Sequence, residues 1–194
     1  MANDGGKIIA GLLFAGCAAV IGWDIINNAQ TVNTIMDTPN NQGGNGPTVG
    51  LIPTAGGGVN NPLDLRTSSI PWQGKITPPG SAFEQFQNMW QGYRAGIDTI
   101  KAHYNNDGQT TLNLFFAGNS NPGFAPASDG NDPVTYAAKV AAAMGITPDD
   151  DFGPYLNALG LSAMLPAMAM QEQGSKFVVN PIDITMALSN LGIS

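Results

Sequence analysis

The sequence predicts a mainly α fold of the α+β kind, carried behind an apolar N-terminal helix and a flexible linker. Three observations carry this reading. Apolar residues recur at helical spacing over 90–104 and again over 161–172. Prolines, glycines and short polar residues stand at helix-boundary positions between 106 and 145. The first 59 residues hold an uncharged apolar run and then a stretch dominated by Gly, Asn, Pro and Thr.

The apolar run comes first. Residues 8–23, IIAGLLFAGCAAVIGW, carry no charge, with Lys7 before them and Asp24 after. A spanning helix needs about 17–25 apolar residues, and Lys7 can snorkel to supply the remaining length. Gly11, Ala15 and Ala19 fall four apart, a small-residue stripe that lets helices approach closely in lipid. Residues 1–28 are therefore read as a membrane-inserting helix, with 7–27 meeting the bilayer. A lipoprotein signal at FAGC, acylated on Cys17, and a buried helix of a soluble assembly are the alternatives. Residues 29–59 show no sustained period and read as a tether, with Val49 to Pro53 a patch able to dock on a neighbour.

Residues 60–194 read as one mostly helical domain. Trp90, Tyr93, Ile97, Ile100 and Tyr104 step by three and four, one face of an amphipathic helix that Asn106-Asp107-Gly108 ends. TTLNLFFA at 110–117 suits a short helix, and GNSNPGFAPASDG a loop. Asp132-Pro133 opens the next helix as N-cap and first-turn proline, and Gly145 stops it. TPDDDF starts a further element.

The last helix carries the chemistry. Leu161, Leu165, Met168 and Glu172 share one stripe, at steps of four, three and four. With Ser162 as N-cap, Pro166 falls in the first turn, where N–H groups lack partners anyway. Glu172 then ends an apolar stripe near the negative end of the helix dipole. Desolvation and dipole both favour the neutral acid and raise its pKa, the state a glycosidase proton donor needs. A helix-end glutamate turned to solvent is the alternative.

Composition excludes other classes. Seven Lys and Arg against fourteen Asp and Glu, a net charge of -7, leave no basic face for specific nucleic-acid binding. One cysteine and one histidine allow neither an internal disulfide nor a His/Cys metal cluster, and no cofactor is indicated. His103 reads as structural or exposed, and the aspartates at 149–151 as a cap and solvated loop.

The ordered motifs NNPLDLR (60–66), W-x-G (Trp72, Gly74), F-x-x-F (Phe83, Phe86), G-x-R-A (Gly92, Arg94, Ala95), AP-x-x-D-x-ND (125–132) with Tyr136, and QEQG (171–174) resemble a family of bacteriophage virion proteins. Members of that family carry NNPxNIR early and a helix ending in HENG late. The resemblance covers roughly residues 60–185. The family in turn resembles lysozyme-like peptidoglycan hydrolases of the glucosaminidase type with the parts reordered, as by circular permutation. It departs here in Asp64, where asparagine or glycine is usual, in the lengthened segment 115–128, and in Gln173, which replaces asparagine after the glutamate.

The resemblance implies a lysozyme-like domain at 60–194, with Glu172 as the catalytic acid and Asn61, Trp72, Phe83 and Phe86 along the glycan cleft. Glu84, Asp64 and Asp129 are the candidates for a second carboxylate. It implies a virion component that cleaves the β-1,4 bond of peptidoglycan or engages that glycan during genome delivery, while the apolar N-terminus and its small-residue stripe add membrane association and a homo-oligomer among other virion proteins. The alternative is a non-catalytic virion protein that anchors to a membrane or lines a delivery channel.

Overall fold

The computed structural model describes residues 51–194. The expected membrane helix, 1–28, and the linker up to residue 50 lie outside the described residues. Among the described residues no helix is long and apolar enough to cross a membrane.

The domain is mainly α. Five helices follow in order: α1 (Met89–Asp107), α2 (Leu112–Ala117), α3 (Pro133–Met144), α4 (Ala158–Gln173) and α5 (Pro181–Asn190), with single 3-10 turns at Ala127–Asp129 and Gly153–Tyr155. Their ends follow local chemistry. Gln91 turns back to accept from the Asn88 N–H ahead of α1, and Gly108 closes that helix in the left-handed conformation, φ 67°. Thr111 caps α2 and Asp132 caps α3, each accepting an N–H three residues on, with Pro133 opening α3. Gly145 ends α3 as the sequence predicts.

Two helices differ from expectation. Helix α4 begins at Ala158, capped by Asn157 rather than Ser162, so Pro166 lies in the helix interior. Its missing N–H and ring clash cost about 3 kcal/mol. Leu161, Met164, Leu165 and Met168 are all fully buried on the same helix, and each stabilises by about 1.5–3 kcal/mol, which outweighs the proline. Helix α5 is an addition to the sequence reading: Asn180 caps it, Pro181 is its first residue, and Ile184, Ala187 and Leu188 supply its buried face. The TPDDDF segment forms turns and a bridge from Asp151 to Thr111, followed by the 3-10 turn at Gly153–Tyr155.

Helix α1 packs on α5, α2 on α3 and α3 on α4. Tyr93, Ile97, Phe115, Phe116, Phe152 and Met164 are among the largest side chains at the centre. Phe116 stacks on Tyr136, ring centroids 4.0 Å apart.

The β portion, residues 52–87, is a set of isolated bridges. Pro53 pairs with Val59, Val59 with Gln85, Arg66 with Phe83 and Lys75 with Phe86. Residues 52–59, expected to belong to the linker, are folded onto the domain. The Asn60 N–H donates to Ile52 O at 2.8 Å and the Phe86 N–H to Val59 O at 2.9 Å. Gly56 and Gly58 serve close approach: a Cβ on Gly58 would sit 2.7 Å from Glu84 O, while Gly57 takes the left-handed conformation, φ 85°.

The NNPLD turn is built for packing. Asn60 (φ 52°) and Asp64 (φ 45°) both take the left-handed conformation, which Asn and Asp tolerate better than other side chains. The Asn60 amide donates to Phe86 O and Gln87 O. On α1, Gly92 and Gly96 let the turn press against the helix; a Cβ on Gly92 would collide with Asn60 O and one on Gly96 with Leu63.

Candidate functional site

A cleft of about 380 Å³ opens between the β portion and the helices. One wall is the segment from Leu63 to Trp72 with Phe83. The opposite wall is Gly123 to Ala125 with Asp129 and Asn131. Thr99 and His103, one turn apart on α1, line it from below, and Glu172 enters from α4.

Glu172 sits in the last turn of α4, half-buried. The Tyr136 hydroxyl, from α3, donates to its Oε1 at 2.7 Å. Burial pushes the Glu172 carboxyl up to about 7, the Tyr136 hydrogen bond pulls against that rise, and the charge of Asp64 adds to it. A carboxyl with that value is substantially protonated at neutral pH and can give up a proton to a bound molecule.

Asp64 lies beside it on the cleft wall, half-buried. The Gly56 N–H donates to its Oδ2 at 2.9 Å, while Oδ1 is buried without a hydrogen-bond partner. Burial raises its pKa, against the polar neighbours Gln173 and Thr54 and the Gly56 N–H. Two carboxyls in electrostatic contact thus face one cleft, one from each end of the sequence.

Gln173 joins those ends. Its Nε2 donates to Asn61 O at 3.4 Å and Pro62 O at 3.3 Å, and its Oε1 accepts from the Ala55 N–H at 2.6 Å. The last residue of α4 is thereby clipped to the turn that carries Asp64.

The sequence-predicted site divides. Glu172, Trp72, Phe83, Asp64 and Asp129 all line the cleft. Asn61 does not. It is fully buried, and its side chain is consumed internally, donating to Leu65 O and Glu84 O and accepting from the Leu65 N–H. Phe86 is likewise fully buried, as a large aromatic in the core. Glu84 is excluded as the second carboxylate: it is fully buried as the hub of the 68–77 loop, accepting from the Ser68 N–H and hydroxyl, Lys75 Nζ at 2.8 Å and the Thr77 hydroxyl. Burial pushes its pKa up, but those donors together outweigh burial and hold it below the usual glutamate value.

Arg66 pairs with Asp129 across the cleft mouth, Nη2 to Oδ2 at 3.0 Å, and its guanidinium lies 5.9 Å from the Phe83 ring centroid. Cleft residues outside the sequence reading are Phe124, Thr99, Ile70 and Asn131, while His103 was read as structural or exposed. Thr99 and His103 were detectable in principle, as polar residues four apart beside the apolar stripe of α1. Phe124 lies in the lengthened 115–128 segment, where no period marks it. Among the described residues, no group of three or more His, Cys, Asp or Glu is placed to hold a metal ion.

Compared with known proteins, the chain matches no family model and no curated sequence.

Proposed function

We propose that the domain is a lysozyme-like, circularly permuted peptidoglycan glycosidase of a bacteriophage virion, which cuts the β-1,4 glycan locally during genome delivery. The observation that carries this reading is Glu172, a carboxyl pushed up to about 7 by burial at the edge of an open cleft. Glu172 protonates the bridging oxygen as the C1–O bond breaks. Asp64 is the companion carboxylate that faces the developing positive charge at C1. Water then adds at C1, and its proton returns to the carboxyl pair. Trp72 and Phe83, half-buried along the wall, present ring faces to sugar rings.

In this reading residues 7–27 hold the protein to a viral or host membrane, and the protein works as a homo-oligomer among other virion components.

The test is clearing of purified peptidoglycan by the full chain beside Glu172→Gln. Clearing by the wild type, reduced about 10²–10⁴-fold in the variant with both folded, is the expected result. Absence of clearing by the wild type, where a control lysozyme works, would move the protein to the non-catalytic virion class.

A further inference from the structure

The cleft is acidic except at one point. Asp64, Asp129 and Glu172 line it, and among the described residues Arg66 is the only lysine or arginine that does so. The chain as a whole carries a net charge of -7. Asp64 disfavours an anion at its own position and Asp129 is matched by Arg66, so this single guanidinium decides where an anionic ligand's charge can rest.

Arg66 is built for that role. Its side chain is 69% exposed, although it belongs to the cleft wall. One guanidinium nitrogen, Nη2, meets Asp129 Oδ2; the other guanidinium nitrogens make no hydrogen bond among the described residues. The planar fork matches a carboxylate through two parallel N–H donors, a geometry the single contact to Asp129 leaves unused. The guanidinium carbon lies over the Phe83 ring, 5.9 Å from its centroid, beside the cleft wall. An exposed pair of this kind contributes little to stability, so exchanging one carboxylate for another costs the fold little.

We propose that Arg66 is a specificity-determining residue: it takes a carboxylate carried by the glycan in exchange for Asp129, and so selects acidic glycan over neutral glycan. This rests on the glycan-cleaving reading of the same cleft. The carboxylate can come from a lactyl ether on the sugar or from a peptide attached to it.

The experiment is calorimetric titration of the full chain carrying Glu172→Gln, which keeps the ligand intact. Three probes are used: chitotetraose, a peptide-free tetrasaccharide of alternating N-acetylglucosamine and N-acetylmuramic acid, and the same tetrasaccharide bearing peptides. The expected result is about tenfold tighter binding of acidic glycan than of chitotetraose. Adding Arg66→Gln removes that difference and leaves chitotetraose binding and the thermal midpoint in place. Tighter binding of the peptide-free tetrasaccharide assigns the carboxylate to the lactyl group; a preference seen only with peptides assigns it to them. Asp129→Asn, which frees the guanidinium, strengthens binding of the acidic probe. Equal affinity for all three probes, or a preference that survives Arg66→Gln, overturns the role of Arg66 and leaves the glycan reading standing. Failure to bind any of the three overturns both.

Discussion

The Tyr136 hydroxyl donates to Glu172 Oε1 across 2.7 Å, tying α3 to the end of α4 at the cleft. The same oxygen lies 3.3 Å from Met168 O, so its one proton has a second acceptor when Glu172 is neutral. Burial and the Glu172 charge both push the Tyr136 phenol well above its ordinary value, which keeps it a donor throughout the working range.

Tyr136→Phe removes a bond made to the ionised carboxylate, and that bond lowers the Glu172 pKa. The variant therefore titrates Glu172 above 7. Carboxyl carbon NMR shifts of the full chain check this directly, and under the proposed glycosidase function the alkaline limb of the clearing profile moves to higher pH with it.

Glu172 also makes stability depend on pH. Its value rises from 4.5 to about 7 on folding, so the folded state holds the proton more tightly than the unfolded state. Its contribution is fully present below about pH 4.5 and is lost as pH rises through 7. A shift of that size is worth on the order of 3 kcal/mol. Glu172→Gln loses this dependence. Urea unfolding should show the variant gaining on the wild type between pH 5 and pH 8, about in step with the titration.

Glu84 works in the opposite direction. Its pKa is held low, so its contribution is present above 4.5 and is lost as pH falls through the folded value. Glu84→Gln leaves Lys75 without its counter-charge and costs about 3 kcal/mol at pH 7. The gap to the wild type narrows in acid. Unfolding midpoints at pH 7 and pH 3.5 check both statements.

Gln173→Ala cuts the clip between α4 and the turn that carries Asp64. The lost bonds to Asn61 O, Pro62 O and the Ala55 N–H cost about 1–2 kcal/mol. The sharper consequence is positional: the raising effect of Asp64 on Glu172 weakens as the two carboxyls loosen. Denaturant unfolding and a Glu172 titration on the same variant separate the two effects.

Helices α1 to α4 were legible in the sequence because their signals are local, whereas α5 was not read. The period of Trp90 to Tyr104, the Asp132-Pro133 opening and the glycine at 145 each act within a few residues. Pro166 misled because the burial that offsets it comes from distant helices. Gly56 and Gly58 looked like part of a tether because close approach to Asp64 and Glu84 leaves no mark in composition. In the site, Glu172 could be singled out by type and position, and Asp64 only as one of three candidates beside Glu84 and Asp129. The burial of Asn61 and Phe86 could not, since the same residue types suit a cleft wall and a core. The role of Gln173 joins residues more than a hundred apart, and no window along the chain contains it.

That separation governs biosynthesis. The Gln173 bonds span 111, 112 and 118 residues. A chain growing at the ribosome carries Asp64 early, yet its partner acid and the clip that aligns the two arrive near the end. Contacts this distant in sequence close late and slowly. A truncated or still-growing chain would have one wall of the cleft, with neither Glu172 nor the clip that aligns it with Asp64.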